Sequence, residues 1–128
     1  MIRNDTMANE LIMIVEDSPT DSKIAETVCL DNGYRVVMES EGDKVLETAM
    51  AKKPDLILLD VILPNKNGFQ VCRQLKTNEA TKHIKIIIVS SKDQPSDKFW
   101  GKKQGADDYV TKPYDEIDLL DAIANNLP

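Results

Sequence analysis

No apolar run in the chain approaches the roughly 18–20 residues of a membrane span. No secretory signal opens it: the first ten residues are polar and lack an apolar core segment. A basic excess is missing too. The 16 Lys and Arg residues are outnumbered by 22 Asp and Glu, with a pI near 4.7. That balance excludes a generic phosphate-backbone binder, which needs a basic face. Cysteine is scarce. Cys29 and Cys72 fall inside expected helices, without the spacing of a metal site or a disulfide framework. They read as reduced core residues of a cytoplasmic protein. The one histidine, His83, falls in a loop and reads as a surface residue rather than a ligand. Internal repeats, linkers and low-complexity tracts are absent. At 128 residues the chain suits one domain with one core. Residues 1–9 read as a flexible extension, with Met7 as an alternative start, and residues 10–128 as the domain.

What is present is alternation. The run DLILLD at 55–60 is aliphatic between two acids, with Pro54 before it and Pro64 after. It reads as a strand buried on both faces. LIMIV at 11–15 is a second such strand and ends in Glu16 and Asp17. Shorter strands are expected at 34–38, of mixed polarity and so at an edge, at 85–89 and at 108–111. Helices are expected between them. The first starts at Ser18 as N-cap with Pro19 in its first turn, turns Ile24, Ala25, Val28 and Cys29 inward, and stops at Asn32 and Gly33. The second, 43–52, turns Val45, Leu46, Ala49 and Met50 inward. The third, 68–78, buries Phe69, Val71, Cys72 and Leu75. The fourth covers 96–104. The last, 115–126, has Asp115 as N-cap and Leu119, Leu120, Ile123 and Leu127 inward. Such alternation predicts an α/β fold: a doubly wound, flavodoxin-like, five-stranded parallel sheet of order 2-1-3-4-5 with helices on both faces.

In that order the first and third strands are neighbours at the switch point, where open α/β sheets place ligands. Glu16, Asp17 and Asp60 then converge at one rim with Ser90 and Lys112. Three clustered carboxylates repel one another and need a counter-charge. Hard oxygen donors select Mg²⁺ (or Mn²⁺), held by one or two carboxylates plus waters and phosphate oxygens. Asp60 is the candidate nucleophile, since carboxylates form aspartyl-phosphates. Mg²⁺ and Lys112 would neutralise charge on the phosphoryl oxygens, and the Ser90 hydroxyl would hydrogen-bond the attached group.

Four motifs carry a resemblance: IVEDS at 14–18, LLDVILP at 58–64 with Gly68, IVSS at 88–91, and GADDYVTKP at 105–113. Together, in this order, they resemble the receiver domain of two-component response regulators, of the single-domain, CheY-like type. The resemblance runs from about residue 10 to the end. It implies that Asp60 is the phosphoacceptor. It implies that Asp17, Asp60 and the Ile62 backbone carbonyl ligate the metal, with Glu16 acting through a water. Ser90 matches the switch hydroxyl, Tyr109 the switch aromatic and Lys112 the family's lysine, with a cis Lys112–Pro113 bond. Ile62 and Lys92 match positions that tune phosphoryl lifetime, and an apolar Ile62 suggests slow self-dephosphorylation. The implied partners are a histidine kinase or histidine phosphotransfer domain, and a downstream target docking on the face of helix four, strand five and helix five. Nucleic acid and membrane insertion are not implied, nor is enzyme activity beyond weak self-phosphorylation and self-dephosphorylation. SSKDQ at 90–94 and FWGKKQG at 99–105 resemble regulators of pilus-driven twitching or phototactic motility.

Other readings stay open at this point. Ser91 stands where the family usually has a small residue, so its hydroxyl is incidental or not. Of Phe99 and Trp100, one is expected to face the core and the other to be a docking handle. An aspartate-nucleophile phosphohydrolase would want Asp-x-Asp, and the third position here is Ile62. A flavin-binding domain would want a glycine- or hydroxyl-rich loop that residues 16–20 lack. A phosphorylation-independent module of the same fold is the remaining alternative.

Overall fold

The computed structural model describes residues 9–128. The expectations for residues 1–8, including Met7 as a start, lie outside them. The Asn9 carbonyl accepts a hydrogen bond from Arg35 Nε at 2.9 Å.

The strands are β1 (Leu11–Val15), β2 (Arg35–Glu39), β3 (Leu56–Leu59), β4 (Lys85–Ser90) and β5 (Asp108–Thr111). The helices are α1 (Pro19–Asp31), α2 (Val45–Lys52), α3 (Gly68–Thr77), α4 (Pro95–Lys103) and α5 (Glu116–Asn126), with one 3-10 turn, Gly42–Lys44, ahead of α2. All pairings are parallel and the order is β2-β1-β3-β4-β5. The expected topology is therefore the observed one.

Strand periodicity divides the core. Ile12, Ile14, Leu56, Leu58, Ile87 and Val89 face α1 and α5, where they meet Ala25, Val28, Cys29, Leu119 and Ile123. The alternate residues Met13, Val15, Ile57, Leu59 and Ile86 face α2 and α3 and meet Val45, Ala49, Val71, Cys72 and Leu75. The central strand β3 is buried at all of its positions, as a strand covered on both faces must be. The edge strand β2 is exposed or half-buried throughout.

Local chemistry sets the ends. Ser18 caps α1 by accepting from the Asp21 N–H at 3.2 Å. Gly33 takes φ +86° just past that helix. Lys53 adopts the left-handed conformation that ends α2 before Pro54. Asn67 caps α3 by accepting from the Phe69 N–H at 2.8 Å.

Helix facing differs from expectation at three places: Ile24, Met50 and the one of Phe99 and Trp100 expected in the core. Ile24 is exposed, because α1 turns only Ala25, Val28 and Cys29 inward. Met50 is exposed too, since one short helix face reaches only from Val45 to Ala49. Phe99 and Trp100 both face solvent, at 62% and 51% exposure. The core-facing residue of α4 is Gly101. A Cβ there would lie 2.8 Å from Ile88 Cδ1 and 3.4 Å from the Tyr109 ring, so the helix approaches too closely for a large residue. Leu46, Leu120 and Leu127 pack against the core as partly buried side chains. The boundaries also shift: β2 runs one residue later than expected, and β4 extends to Ser90.

Candidate functional site

Register builds the site. Val15 pairs with Leu59, so Glu16 and Asp60 leave the sheet side by side, and the Asp60 N–H donates to the Val15 carbonyl at 3.0 Å. Ser90 pairs with Thr111, and the Lys112 N–H donates to the Ser90 carbonyl at 2.9 Å. Four strand ends thereby deliver Glu16, Asp60, Ser90 and Lys112 to one rim. Glu16, Asp60 and Lys112 open on a cleft of about 520 Å³, which Asp17, Asp21, Ile62, Ser91 and Tyr114 also line, whereas Ser90 is fully buried.

The Lys112 ammonium is the hub. It donates to Asp60 Oδ2 at 2.8 Å, to Asp21 Oδ2 at 2.9 Å, and to Glu16 Oε1. Burial alone would lower its pKa, but the hydrogen bonds to Asp60, Glu16 and Asp21 outweigh that and hold it above the ordinary lysine value. Burial raises the Glu16 pKa, and the bond from Lys112 only partly opposes it. The remaining acceptors are met locally. Glu16 Oε2 takes the Ser18 N–H at 3.2 Å, and Asp60 Oδ1 takes the Ile62 N–H at 2.9 Å. Asp60 is 6% exposed, whereas Ile62 is 49% exposed and its side chain forms part of the cleft wall.

The switch candidates occupy the β4 and β5 side. Ser90 is fully buried, and its Oγ accepts from the Lys92 N–H at 3.3 Å. The Tyr109 hydroxyl donates to the Lys92 carbonyl at 2.6 Å. Burial first, then Asp97, pushes the Tyr109 phenol up to about 12. Lys92 thus meets both switch candidates through its main chain, while its side chain is exposed. The Lys112–Pro113 bond is cis. Ser91 lines the cleft. His83 is exposed ahead of β4, at the opposite end of that strand from Ser90.

Sequence reasoning missed Asp21. At the third helical position after an N-cap, it reads as an ordinary first-turn acid. Only the coordinates bring it onto Lys112.

Among the described residues, no three His, Cys, Asp or Glu side chains are gathered into a ready-made metal cage. The donor set nonetheless fits a hard cation. Glu16, Asp17 and Asp60 are carboxylates lining one open cleft. Mg²⁺ characteristically uses one or two carboxylates and retains several waters, so a pre-formed cage is not required.

The match to known proteins agrees with this geometry. Residues 12–124 match the response regulator receiver domain family. The chain belongs to that family. It is 45% identical over 112 residues to protein PilH of Pseudomonas aeruginosa, covering 88% of this chain and 93% of PilH. Among solved structures, chemotaxis protein CheY4 of Vibrio cholerae superposes with a TM-score of 0.87 at 26% identity, covering 94% of this receiver and all of that chain (100%). The receiver domain of the Pseudomonas aeruginosa sensor histidine kinase PA1611 superposes with a TM-score of 0.84 at 26% identity, covering 92% of this receiver and 97% of that chain. That structure has a magnesium ion coordinated in its active-site cleft. No helix of this receiver's described residues is long and apolar enough to cross a membrane.

Proposed function

We propose that this protein is a cytoplasmic receiver that accepts a phosphoryl group on Asp60 from the phosphohistidine of a histidine kinase or phosphotransfer domain. The P–N bond of the donor breaks, an Asp60 Oδ–P bond forms, and the departing imidazole takes up a proton. Asp17, Asp60 and the Ile62 carbonyl would hold Mg²⁺ directly, or Mn²⁺ in its place, with Glu16 acting through a water. Such a cation, when bound, spreads the negative charge of the phosphoryl oxygens. Lys112 supplies a second positive charge at the same place. Ser90 and Tyr109 then report the modification. A phosphoryl oxygen draws the Ser90 hydroxyl, the Tyr109 ring follows, and the face formed by α4, β5 and α5 changes its contacts with a target protein. Differential contacts in the two states are what shift the population. The kinship with PilH supports a role in pilus-driven motility. The protein catalyses nothing beyond its own slow phosphorylation and dephosphorylation.

The observation that carries this reading is the 2.8 Å contact between Lys112 Nζ and Asp60 Oδ2 at the floor of an acidic cleft. The test is incorporation of phosphate from acetyl phosphate with Mg²⁺. The wild type is expected to be labelled and Asp60→Asn not. Full labelling of Asp60→Asn would refute the assignment.

A further inference from the structure

The structure assigns Asp21 a function in the phosphoryl site: it is a positioning residue that competes with the phosphoryl group for the Lys112 ammonium. The inference rests on the phosphoacceptor reading of Asp60.

An ammonium has three protons to donate. In this protein all three go to acids: Glu16, Asp21 and Asp60. Lys112 is therefore fully engaged before any group is attached. A phosphoryl group brings strong acceptor oxygens and added negative charge to Asp60. Lys112 can serve them only by loosening a bond it already makes.

The three bonds are not equally easy to loosen. The Glu16 side chain is 7% exposed and that of Asp60 8%. Leaving Glu16 without a counter-charge strands a buried carboxylate, and the Asp60 bond passes to the phosphoryl oxygens that Asp60 then carries. The Asp21 side chain is 41% exposed, so water replaces the lysine there at little cost. Asp21 is thus the bond that gives way.

The local backbone explains why Asp21 is free to take this place. In a full capping box, the acid at the third helical position reaches back to the N-cap N–H. Here that N–H, on Ser18, is already held by Glu16 Oε2, and Ser18 Oγ holds the Asp21 N–H. The Asp21 backbone is fixed by the cap, while its carboxylate turns to Lys112.

The test is binding of beryllium trifluoride, a phosphoryl mimic, with Mg²⁺ to the full chain. Asp21→Asn keeps the shape and removes the charge; Asp21→Ala removes both. Each is expected to bind the mimic about twofold to fivefold more tightly than wild type, the scale of an exposed ion pair. Both are expected to melt slightly lower, because a first-turn acid and an ion pair are lost. A merely structural acid, once removed, would lower melting temperature and affinity together. Glu116→Gln is the control. Glu116 borders the neighbouring groove beside Ile24 and Tyr114 and is not among the three acids on Lys112. An equal gain in Glu116→Gln would make the effect a diffuse one of rim charge and overturn the inference. Unchanged or weaker binding in both Asp21 variants overturns it as well. Failure of the wild type to bind the mimic at all would instead overturn the phosphoacceptor reading, and this inference with it.

Discussion

Lys112 and Asp60 stand 52 positions apart in the chain, yet Lys112 Nζ lies 2.8 Å from Asp60 Oδ2. Strand order alone brings them together, because β4 separates β3 from β5 by a single position in the sheet. The lysine compensates an acidic floor that would otherwise repel itself. Lys112→Met should therefore leave Glu16 and Asp60 buried without a counter-charge. A loss of about 3 kcal/mol at neutral pH is expected. The sign with pH follows from Glu16. Burial already raises its pKa, and without the ammonium less opposes that. The stability it contributes is then fully present below about pH 4, near the unfolded carboxylate value, and is lost as pH rises through the raised folded value. Urea melts of both proteins from acid to neutral pH measure this, and a deficit that does not grow with pH would count against it.

Gly68 is the spacer beneath the same floor. It opens α3 directly on the backbone that follows Asp60. A Cβ there would lie 2.2 Å from Val61 Cα and 2.7 Å from the Asp60 carbonyl oxygen. Neither atom belongs to a movable side-chain end. Gly68→Ala should cost about 2–3 kcal/mol, the scale of core overpacking, although alanine is the better helix former. It should also slow phosphate uptake, since relief requires Asp60 or α3 to move. Equilibrium unfolding and acetyl-phosphate labelling read the two effects separately. A variant as stable as the wild type would show the close approach to be unimportant.

How much of this was legible beforehand depends on the length of the pattern. The uninterrupted apolar runs of β1, β3 and β4 announced a doubly covered parallel sheet, and the acids that follow β1 and β3 announced the rim. Helix α4 was legible in extent but not in facing. Its run PSDKFWGKK holds two aromatics beside one glycine, and hydrophobicity favoured an aromatic for the core. Space decided otherwise: Gly101 faces Ile88 and Tyr109, where even a Cβ would lie 2.8 Å from Ile88 Cδ1 and an aromatic has no room. Asp21 was illegible for a different reason, because its partner is 91 residues away and local pattern says nothing of it.

The facing of α4 makes a prediction of its own. Replacing both Phe99 and Trp100 by alanine should change stability by less than about 1 kcal/mol, as surface changes do. Trp100 is the chain's only tryptophan. Its fluorescence in the native protein should already be that of a hydrated indole and open to quenching by acrylamide. Protection from quenching in the native state, lifted on unfolding, would contradict the exposed placement.

The two thiols lie on opposite faces of the sheet, Cys29 on the inner face of α1 and Cys72 on that of α3. Burial pushes both up to about 12, from about 8.5 in an unfolded chain. A raised folded pKa contributes stability that is intact below the unfolded value and lost as pH climbs from there toward the folded one. Denaturation midpoints should accordingly fall from about pH 8.5 upward, and less steeply in the Cys29→Ala/Cys72→Ala double variant. In the native protein at neutral pH neither thiol should react with a thiol reagent, and both should react in denaturant. Native labelling as fast as in denaturant would show that the thiols are not held in the core.

An apolar Ile62 should lengthen the life of a phosphoryl group on Asp60. The Ile62 N–H holds Asp60 Oδ1 at 2.9 Å, and the residue lines the cleft two positions beyond the acceptor. Loss of the group to water needs a water aimed at phosphorus, and an aliphatic side chain cannot aim one by hydrogen bonding. Ile62→Asn supplies both a donor and an acceptor at that point. The decay of phosphorylated protein should quicken about fivefold, the effect of roughly one hydrogen bond. Ile62→Val, equally apolar, should decay as the wild type does. Lys92 offers an internal comparison. It is joined to Ser90 and Tyr109 through its backbone, so Lys92→Ala keeps those bonds and should alter decay less than Ile62→Asn does. Decay of radiolabelled phosphoprotein measures all three, and equal half-lives for wild type and Ile62→Asn would mean that water reaches the phosphorus unaided by this side chain.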